Sequence, residues 1–203
     1  MKRALLLDLG NVVLEVDFRR TFRYWASHAN VEVQQLYERW QADRAYEQHE
    51  LGAIDFSTYV EGLGDRLGIS LPMQHWLQGW NDLFVGPYVR VQDRLPALSQ
   101  KIPLFAFTNT NPTHQATWSS RYPQAIRHFR NIYVSSDIGH RKPYVSAYLH
   151  VAADMGYRPE QIVFVDDNEE NVAGALDAGM QARWVGSEAD VVEILDELAG
   201  EAD

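Results

Sequence analysis

Four short apolar runs constrain the fold of this chain more than any other feature of its sequence. They occupy residues 4–7, 104–107, 132–134 and 162–165. None alternates apolar with polar residues as a half-exposed strand does, so each run predicts a strand buried on both faces. Amphipathic helical patterns fall between the later runs, and a fifth strand is expected at residues 182–185. This alternation predicts a right-handed, mostly parallel α/β sheet.

Residues 17–83 do not continue this alternation. They are rich in aromatic residues and contain no convincing strand. Asp55 is placed to cap one helix, and Pro72 to open another. We therefore expect a helical domain at 17–83, inserted after the first strand, with residues 1–16 and 84–203 forming the α/β core. Pro96 lies in a further helical pattern and predicts a kink or two short helices there.

The charge balance excludes several classes of partner. The chain has 203 residues, of which 28 are acidic and 18 are basic, for a net charge of −10. Such a surface repels nucleic-acid phosphates and anionic lipids, so we expect neither nucleic acid nor a membrane as partner. An anionic substrate would need a local cation, such as a bound metal. We expect the partner to be a small molecule.

The absence of cysteine removes disulfides, thiolate zinc sites and cysteine nucleophiles from consideration. The apolar runs are far too short to span a membrane. Met1, Lys2 and Arg3 resemble the start of a signal peptide, but Asp8 interrupts the apolar run that follows. We expect a soluble, cytoplasmic protein.

Polar residues follow the apolar runs at the predicted carboxyl ends of the strands, where open parallel sheets bind ligands. These segments are 8–11, 108–110, 135–137 and 166–168. If Asp8, Asp166 and Asp167 converge, their charges repel one another and raise their pKa values. A divalent cation relieves that repulsion, and oxygen ligands suit Mg²⁺. Lys142 begins a predicted helix, where the helix dipole disfavours a cation, so we expect it to pair with Asp166 or with a bound anion.

These strand ends resemble the four ordered motifs of the haloacid dehalogenase superfamily. The matching segments are Asp8-Leu9-Gly10-Asn11-Val12-Val13, Thr108-Asn109, Lys142-Pro143 and Asp166-Asp167-x-x-x-Asn171. The resemblance covers nearly the whole chain and implies a Rossmann-like core with a helical cap inserted after the first motif. More narrowly, segments 8–12, 109–111 and 141–143 are similar to the branch that contains α-D-glucose-1-phosphate phosphatase.

The resemblance implies a Mg²⁺-dependent phosphomonoesterase in which Asp8 is the nucleophile and forms an aspartyl-phosphate. A carboxylate can accept a phosphoryl group and release it to water in a second step. By the same resemblance, Thr108, Asn109 and Lys142 hold the phosphoryl group. Lys142 also restrains Asp8.

The resemblance also implies the metal site. Asp8, the Gly10 carbonyl and Asp167 would bind Mg²⁺. Asp166 would reach the ion through water or form a salt bridge with Lys142 instead. Asn171 would brace the loop that carries the fourth motif.

Gly10 departs from the pattern of this superfamily's phosphatases, which have a second aspartate there as general acid and base. Such catalysis is typically worth about 10²–10⁴ in rate. Its loss is tolerable if the leaving group is itself acidic, as the anomeric hydroxyl of a sugar 1-phosphate is. It is also tolerable if the cap supplies a proton, or if the protein is a weak enzyme. Glu47, His49 and Glu50 are the candidate donors in the cap, although we expect His49 to be an exposed helix residue.

Aromatic residues of the cap provide a second set of candidates. Trp25, Trp40 and Tyr46 could stack on a sugar face, as aromatic rings do, or pack the interior of a helical bundle. We expect most of them to pack the interior, with Trp25 and Tyr46 as exceptions that contact substrate.

Three functions stay open from the sequence. The leading one is a phosphatase for a small phosphorylated metabolite, such as the sugar phosphate glucose 1-phosphate. The second is a catalytically weak phosphate-binding or regulatory protein, which Gly10 alone favours. The third is a metal-independent 2-haloacid dehalogenase, against which the pair Asp166-Asp167 argues. The exact substrate, the oligomeric state and any motion of the cap are not determined by the sequence.

Overall fold

The secondary structure is taken from a computed structural model in which residues 3–201 are described. Met1 and Lys2, and with them part of the signal-like start, lie outside the described residues. The strands are β1 (Ala4–Leu7), β2 (Leu14–Val16), β3 (Phe84–Pro87), β4 (Leu104–Thr108), β5 (Asn131–Val134), β6 (Ile162–Asp166) and β7 (Gln181–Trp184).

The helices alternate with these strands in the second half of the chain and cluster between β2 and β3 in the first. They are α1 (Phe18–Ala29), α2 (Val33–Arg39), α3 (Arg44–Glu50), α4 (Phe56–Leu67), α5 (Met73–Asn81), α6 (Val89–Gln92), α7 (Leu95–Lys101), α8 (Pro112–Arg121), α9 (Pro123–Ile126), α10 (Ser135–Ile138), α11 (Val145–Met155), α12 (Glu169–Asp177) and α13 (Glu188–Glu201). A 3₁₀ turn at Pro159–Gln161 precedes β6. Among residues 3–201, no helix is both long enough and apolar enough to cross a lipid bilayer.

Five parallel strands form the central sheet in the order β5-β4-β1-β6-β7. Leu5 of β1 lies opposite Leu104 on one side and Val163 on the other. Strands β4 and β5 lie on one side of β1, and the strands that follow in the chain, β6 and β7, lie on the other side. Ligand sites form where a sheet changes direction in this way. The carboxyl ends of β1, β4 and β6 therefore meet at one edge, as predicted.

The two faces of β1 belong to different hydrophobic clusters. Leu5 and Leu7 pack with residues of α6, α7 and α13, and Ala4 and Leu6 pack with residues of α11 and α12. The prediction of burial on both faces is confirmed for β1, β4 and β6. It is wrong for β5, where Ile132 is half-buried, because this strand is at the edge of the sheet. The fifth predicted strand starts one residue earlier than expected, as β7.

A short antiparallel pair, β2 with β3, flanks the helices α1–α5. Neither strand is predicted from the sequence, because each has only three or four residues. The helices α1–α5 share a cluster of their own, which includes Trp25, Tyr59 and Trp80. The division of the chain into a core and a cap at 17–83 stays a prediction.

Local signals for helix ends are mostly where the sequence indicates them. The Asp55 carboxylate accepts the Thr58 N–H at 2.8 Å and caps α4. Around Pro96 there are two short helices, α6 and α7, instead of one. Gly156 ends α11 with a φ of +73°, a conformation that glycine adopts without strain. The helix predicted to begin at Lys142 begins at Val145 instead, as α11.

Candidate active site

Asp8 follows β1 directly and lies at the edge where β1, β4 and β6 end. Its backbone N–H donates to the carbonyl of Val165 at 2.9 Å. The residue is only 8% exposed, and its Oδ1 lies 3.0 Å from Nζ of Lys142. Burial raises the pKa of Asp8 to about 7; the nearby ammonium of Lys142 opposes this shift, and the carboxylates of Asp166 and Asp167 reinforce it. A further cation beside Asp8 would favour its ionised form.

Lys142 is the cation at the centre of this cluster. It is 1% exposed, and its Nζ donates to Oδ2 of Asp166 at 2.5 Å. The rings of Phe107 and Phe164 lie 5.5 and 5.3 Å from the same nitrogen. Burial alone would lower the pKa of Lys142, but Asp166 and Asp8 outweigh burial and raise it. Lys142 is therefore a buried cation that faces two carboxylates.

Asp166 is fully buried and its oxygens are already in use. Besides Lys142, it accepts Nδ2 of Asn171 at 3.1 Å on each oxygen and the backbone N–H of Asn168 at 2.8 Å. Of the two arrangements that the sequence leaves open for Asp166, the structure shows the ion pair with Lys142. Asn171 is itself anchored, because the hydroxyl of Tyr148 donates to its carbonyl at 2.6 Å.

Asp167 is held by Asn11, a contact that the sequence analysis missed. Asn11 has a φ of +52°, and its Nδ2 donates to Oδ2 of Asp167 at 3.0 Å. Its Oδ1 accepts the backbone N–H of Val16 at 3.1 Å. Burial raises the pKa of the half-buried Asp167. The turn after β1 and the turn after β6 are thus joined through one amide side chain.

The three carboxylates form a set that fits a divalent cation. Asp8, Asp166 and Asp167 each offer an oxygen, and these atoms lie within 4.8 Å of one another. Hard oxygen donors are the ligands that Mg²⁺ prefers. Both oxygens of Asp166 are engaged by Lys142 and two asparagines. Asp8 and Asp167 each have one such contact, through Oδ1 to Lys142 and through Oδ2 to Asn11, so these two are better placed to hold an ion.

Gly10 has room for a side chain. A Cβ built there would lie 3.6 Å from Cγ2 of Val16 and 3.8 Å from Oδ2 of Asp8. Both are ordinary contact distances, and the backbone of Gly10 does not have a positive φ. Steric constraint therefore does not require glycine at this position.

The loop after β4 supports the cluster from the other side. Thr108 is the buried last residue of β4, and the side chain of Asn109 bonds to the backbone of Lys142. The backbone N–H of Thr110 donates to Oγ of Ser135 at 2.9 Å. Ser135 in turn donates to the carbonyl of Glu50 at 2.6 Å, which ties α3 to this loop. The connection through Ser135 is not predicted from the sequence, because no local pattern relates residues so far apart.

The cluster opens into a cavity of about 580 Å³. The lining includes Asp8, Thr108, Asn109, Lys142 and Asp167. The segment from α1 to α3 contributes Phe18, Trp40, Tyr46, Glu47 and Glu50 to the same lining. The expected contribution of Tyr46 and Glu47 to this site stays a prediction, but their position at the cavity suits it.

Two of the predicted cap residues do not line the cavity. Trp25 is fully buried, donates Nε1 to the carbonyl of Trp76 at 3.1 Å and stacks on Trp80 at 5.9 Å. His49 was expected to be exposed but is 1% exposed and stacks on Tyr59 at 5.0 Å. Both side chains pack inside the helical segment, because the spacing of apolar residues along a helix does not distinguish its interior from a cavity wall.

Arg141 is a charged cavity residue for which the sequence predicts no role. Its Nη1 donates to Oε1 of Glu47 at 2.9 Å, and its Nη2 and Nε donate to Oε2 of Glu50 at 2.8 and 3.1 Å. Burial raises the pKa of Glu50, and Arg141 opposes that shift. This ion-pair group joins α3 to the residue immediately before Lys142. In the sequence, the one indication of this ion-pair group is that Arg141 is a second cation next to Lys142.

A second junction joins α5 to α8. The buried His114 donates Nε2 to the carbonyl of Trp80 at 3.0 Å, and its Nδ1 lies 3.1 Å from Nδ2 of Asn111. Its ring stacks on Trp80 at 4.7 Å. Burial lowers the pKa of His114 to about 3. These contacts require the neutral imidazole, with its proton on Nε2.

The chain is similar in sequence and in fold to known proteins. The curated D-ribitol-5-phosphate phosphatase of Bacteroides thetaiotaomicron is 21% identical over 186 residues, which are 89% of this chain and 90% of that protein. The crystal structure of a haloacid dehalogenase family enzyme from the same species, in complex with magnesium and inorganic phosphate, matches with a TM-score of 0.79 and 24% identity, over 92% of this chain and 96% of that one.

An L-2-haloacid dehalogenase also matches in structure, with a TM-score of 0.69 and 17% identity over 98% of this chain and all of that one. These structural likenesses confirm the predicted α/β fold. The model of the haloacid dehalogenase-like hydrolases matches residues 2–179. This chain belongs to the haloacid dehalogenase-like hydrolase family.

Proposed function

We propose that this hydrolase is a phosphomonoesterase that cleaves a small phosphorylated metabolite, a sugar or polyol phosphate, through an aspartyl-phosphate on Asp8. One observation carries the proposal: Asp8 lies 3.0 Å from the buried cation Lys142 and within 4.8 Å of Asp167, and it lines a cavity large enough for such a substrate. Phosphoryl transfer depends mainly on positioning and charge neutralisation, and these residues supply both.

In the first step, a carboxylate oxygen of Asp8 attacks phosphorus while the bond from phosphorus to the leaving oxygen breaks. The leaving alkoxide takes up a proton from water and departs as the alcohol. In the second step, water attacks the aspartyl-phosphate, releases inorganic phosphate and restores the carboxylate. Lys142 stays charged throughout and stabilises the negative charge that both transition states spread over the phosphoryl oxygens. Thr108 and Asn109 would shape the loop that receives these oxygens.

The residues present would hold Mg²⁺ through Asp8, Asp167 and the Gly10 carbonyl. When bound, the ion neutralises charge on the phosphoryl group and orients it. The charge of the cavity lining supports a bound cation, because the lining has more carboxylates than cationic side chains. The carboxylates are Asp8, Glu47, Glu50, Asp167 and Glu170, and the cations are Arg141 and Lys142. Magnesium and phosphate in the structural relative from Bacteroides support the proposal.

The leaving group distinguishes two kinds of substrate. Without an acid at position 10, a sugar 1-phosphate such as glucose 1-phosphate reacts with the smallest penalty, because an anomeric hydroxyl is more acidic than an ordinary alcohol. The curated relative, by its name, acts on D-ribitol 5-phosphate, whose leaving group is an ordinary alcohol. If this chain shares that preference, another cavity residue has to supply the proton. A metabolite phosphatase of this kind is expected to act in the cytoplasm.

Phosphate release from glucose 1-phosphate, glucose 6-phosphate and D-ribitol 5-phosphate, with Mg²⁺ and with excess chelator, tests the proposal. We expect metal-dependent release that is lost in Asp8→Asn. Preference for the 1-phosphate would support the argument from leaving-group acidity, and equal rates would point to a proton donor in the cavity. Tight phosphate binding without release would favour a non-catalytic role. Halide release from a 2-haloacid in the presence of chelator would favour a dehalogenase.

A further inference from the structure

The part of the cavity lining that α3 and Arg141 contribute has a charge pattern that the proposed chemistry does not use. Glu47 and Glu50 of α3 both bind Arg141, so two carboxylates share one guanidinium. The side chain of Glu50 is 5% exposed and that of Arg141 is 13% exposed, whereas 38% of the Glu47 side chain is exposed. Glu47 is therefore the member of the group that a ligand in the cavity would meet.

No cation in the cavity lining is free for a second anion. Among the residues that line the cavity, Arg141 and Lys142 are the cations of the Lys and Arg type, and both are already paired with two carboxylates each. A carboxylate or second phosphate on the leaving group would therefore approach the negative charge of Glu47 with no unpaired cation of the lining to neutralise it. In a site partly shielded from water, like charges at contact distance cost far more than they do in solvent.

Hydroxyl groups would meet a favourable surface in the same place. Oε1 of Glu47 accepts a hydrogen bond from Arg141, which leaves Oε2 to accept a hydrogen bond from a hydroxyl group of the ligand. Arg141 has five N–H groups, three of which the ion pairs use. Trp40 and Tyr46 also line the cavity, and aromatic rings offer faces against which sugar carbons can pack.

We propose that Glu47, held by Arg141 and Glu50, is a specificity-determining residue that admits neutral polyhydroxylated leaving groups and rejects those that carry a carboxylate or a second phosphate. The inference rests on the proposed phosphatase function and deepens it. Glu47 contacts the leaving group, whereas Glu50 acts only by positioning Arg141.

Matched substrate pairs test the proposal. D-ribitol 5-phosphate and D-ribonate 5-phosphate differ in one terminal hydroxymethyl or carboxylate group, and D-glucitol 6-phosphate and 6-phosphogluconate form a second pair with the same difference. In the wild-type enzyme with Mg²⁺, we expect kcat/KM for the acid to be at least about tenfold lower within each pair. Glu47→Gln, which removes the charge and keeps the shape, should reduce that ratio at least about threefold, and Glu47→Lys should reduce it further.

Glu61→Gln is the matched control, because Glu61 is exposed on α4 and does not line the cavity. It should leave the ratio unchanged, and melting temperatures would verify that every variant folds. Equal kcat/KM within both pairs, or an unchanged ratio in Glu47→Gln, would overturn the inference and leave the phosphatase intact. If the enzyme releases no phosphate from either pair or from the substrates named under the proposed function, the proposed function and the inference are both overturned.

Discussion

Asn109 holds the backbone of Lys142 at both of its polar groups. Its Nδ2 donates to the carbonyl of Lys142 at 2.9 Å, and its Oδ1 accepts the N–H of the same residue at 2.9 Å. A side chain at the end of β4 therefore positions the residue whose Nζ meets Asp8 at the end of β1. The predicted contact of Asn109 with the phosphoryl group stays a prediction. The structure adds a contact with the backbone of the cation that would neutralise the phosphate.

Asn109→Ala should lower kcat about 10- to 100-fold, because Lys142 loses the two bonds that orient it. The free energy of unfolding should fall by about 1–3 kcal/mol, since a buried N–H and carbonyl lose their partners. Inhibition by inorganic phosphate separates this role from direct phosphate contact. If Asn109 acts through Lys142, kcat falls more than the affinity for phosphate does. A large loss of phosphate affinity with little change in kcat would contradict the positioning role.

Asp8→Asn should abolish phosphate release, by more than about 10³-fold, because a carboxamide cannot act as the nucleophile. The variant should nevertheless be at least as stable as the wild type without metal. Burial and two neighbouring carboxylates raise the pKa of Asp8, so a neutral side chain of the same shape relieves repulsion, while Lys142 keeps its bond to Asp166. Thermal unfolding in chelator checks stability, and a clear drop in melting temperature would contradict this account.

Gly10→Asp should restore a general acid beside the nucleophile. The new Cβ would lie 3.8 Å from Oδ2 of Asp8 without a steric clash. We expect kcat for ordinary alcohol phosphates, such as glucose 6-phosphate, to rise by about 10²-fold. An aryl phosphate, whose leaving group needs no proton, should change little.

Gly10→Ala is the control for that substitution, because it fills the same space without an acid and should leave both rates near those of the wild type. Slower hydrolysis of both substrates by Gly10→Asp, with no selective gain for the alcohol phosphate, would show that a missing acid does not limit the wild-type enzyme.

The sequence predicted the elements of this fold that depend on short-range patterns. The unbroken apolar runs that became β1, β4 and β6 are buried on both faces. Polar residues that directly follow them, Asp8 and Asp167 among them, meet as expected. This works because parallel strands bring their carboxyl ends to one edge whatever lies between them.

Contacts between α3 and the core were not predictable in the same way. Helical spacing shows which residues share a face, but not whether that face meets the interior or a cavity. Trp25 and Tyr46 looked alike in the sequence, yet Trp25 is buried against Trp80 and Tyr46 lines the cavity. The ion pairs of Arg141 with Glu47 and Glu50 cross more than 90 positions, and only the packed structure brings them together.

His114 makes stability depend on pH. Burial lowers its pKa to about 3 from the ordinary 6.5, and its contacts with Trp80 and Asn111 require the neutral ring. The unfolded chain therefore binds a proton near pH 6.5 that the folded chain does not bind. The stabilisation is fully present above pH 6.5 and is lost as the pH falls toward 3, at up to about 1.4 kcal/mol per pH unit from this group.

Denaturant unfolding between pH 7 and pH 4.5 measures this effect as a slope of the unfolding free energy against pH. Groups such as Glu50, whose pKa burial raises, act in the opposite direction, so the informative quantity is a difference between variants. His114→Gln, which cannot take up the proton, should be less stable at pH 7 but lose less stability on acidification. His150→Gln, at an exposed position, should keep the wild-type slope. If the unfolding free energy of His114→Gln depends on pH as steeply as that of the wild type, protonation of His114 at the junction of α5 and α8 is not the cause of the acid destabilisation.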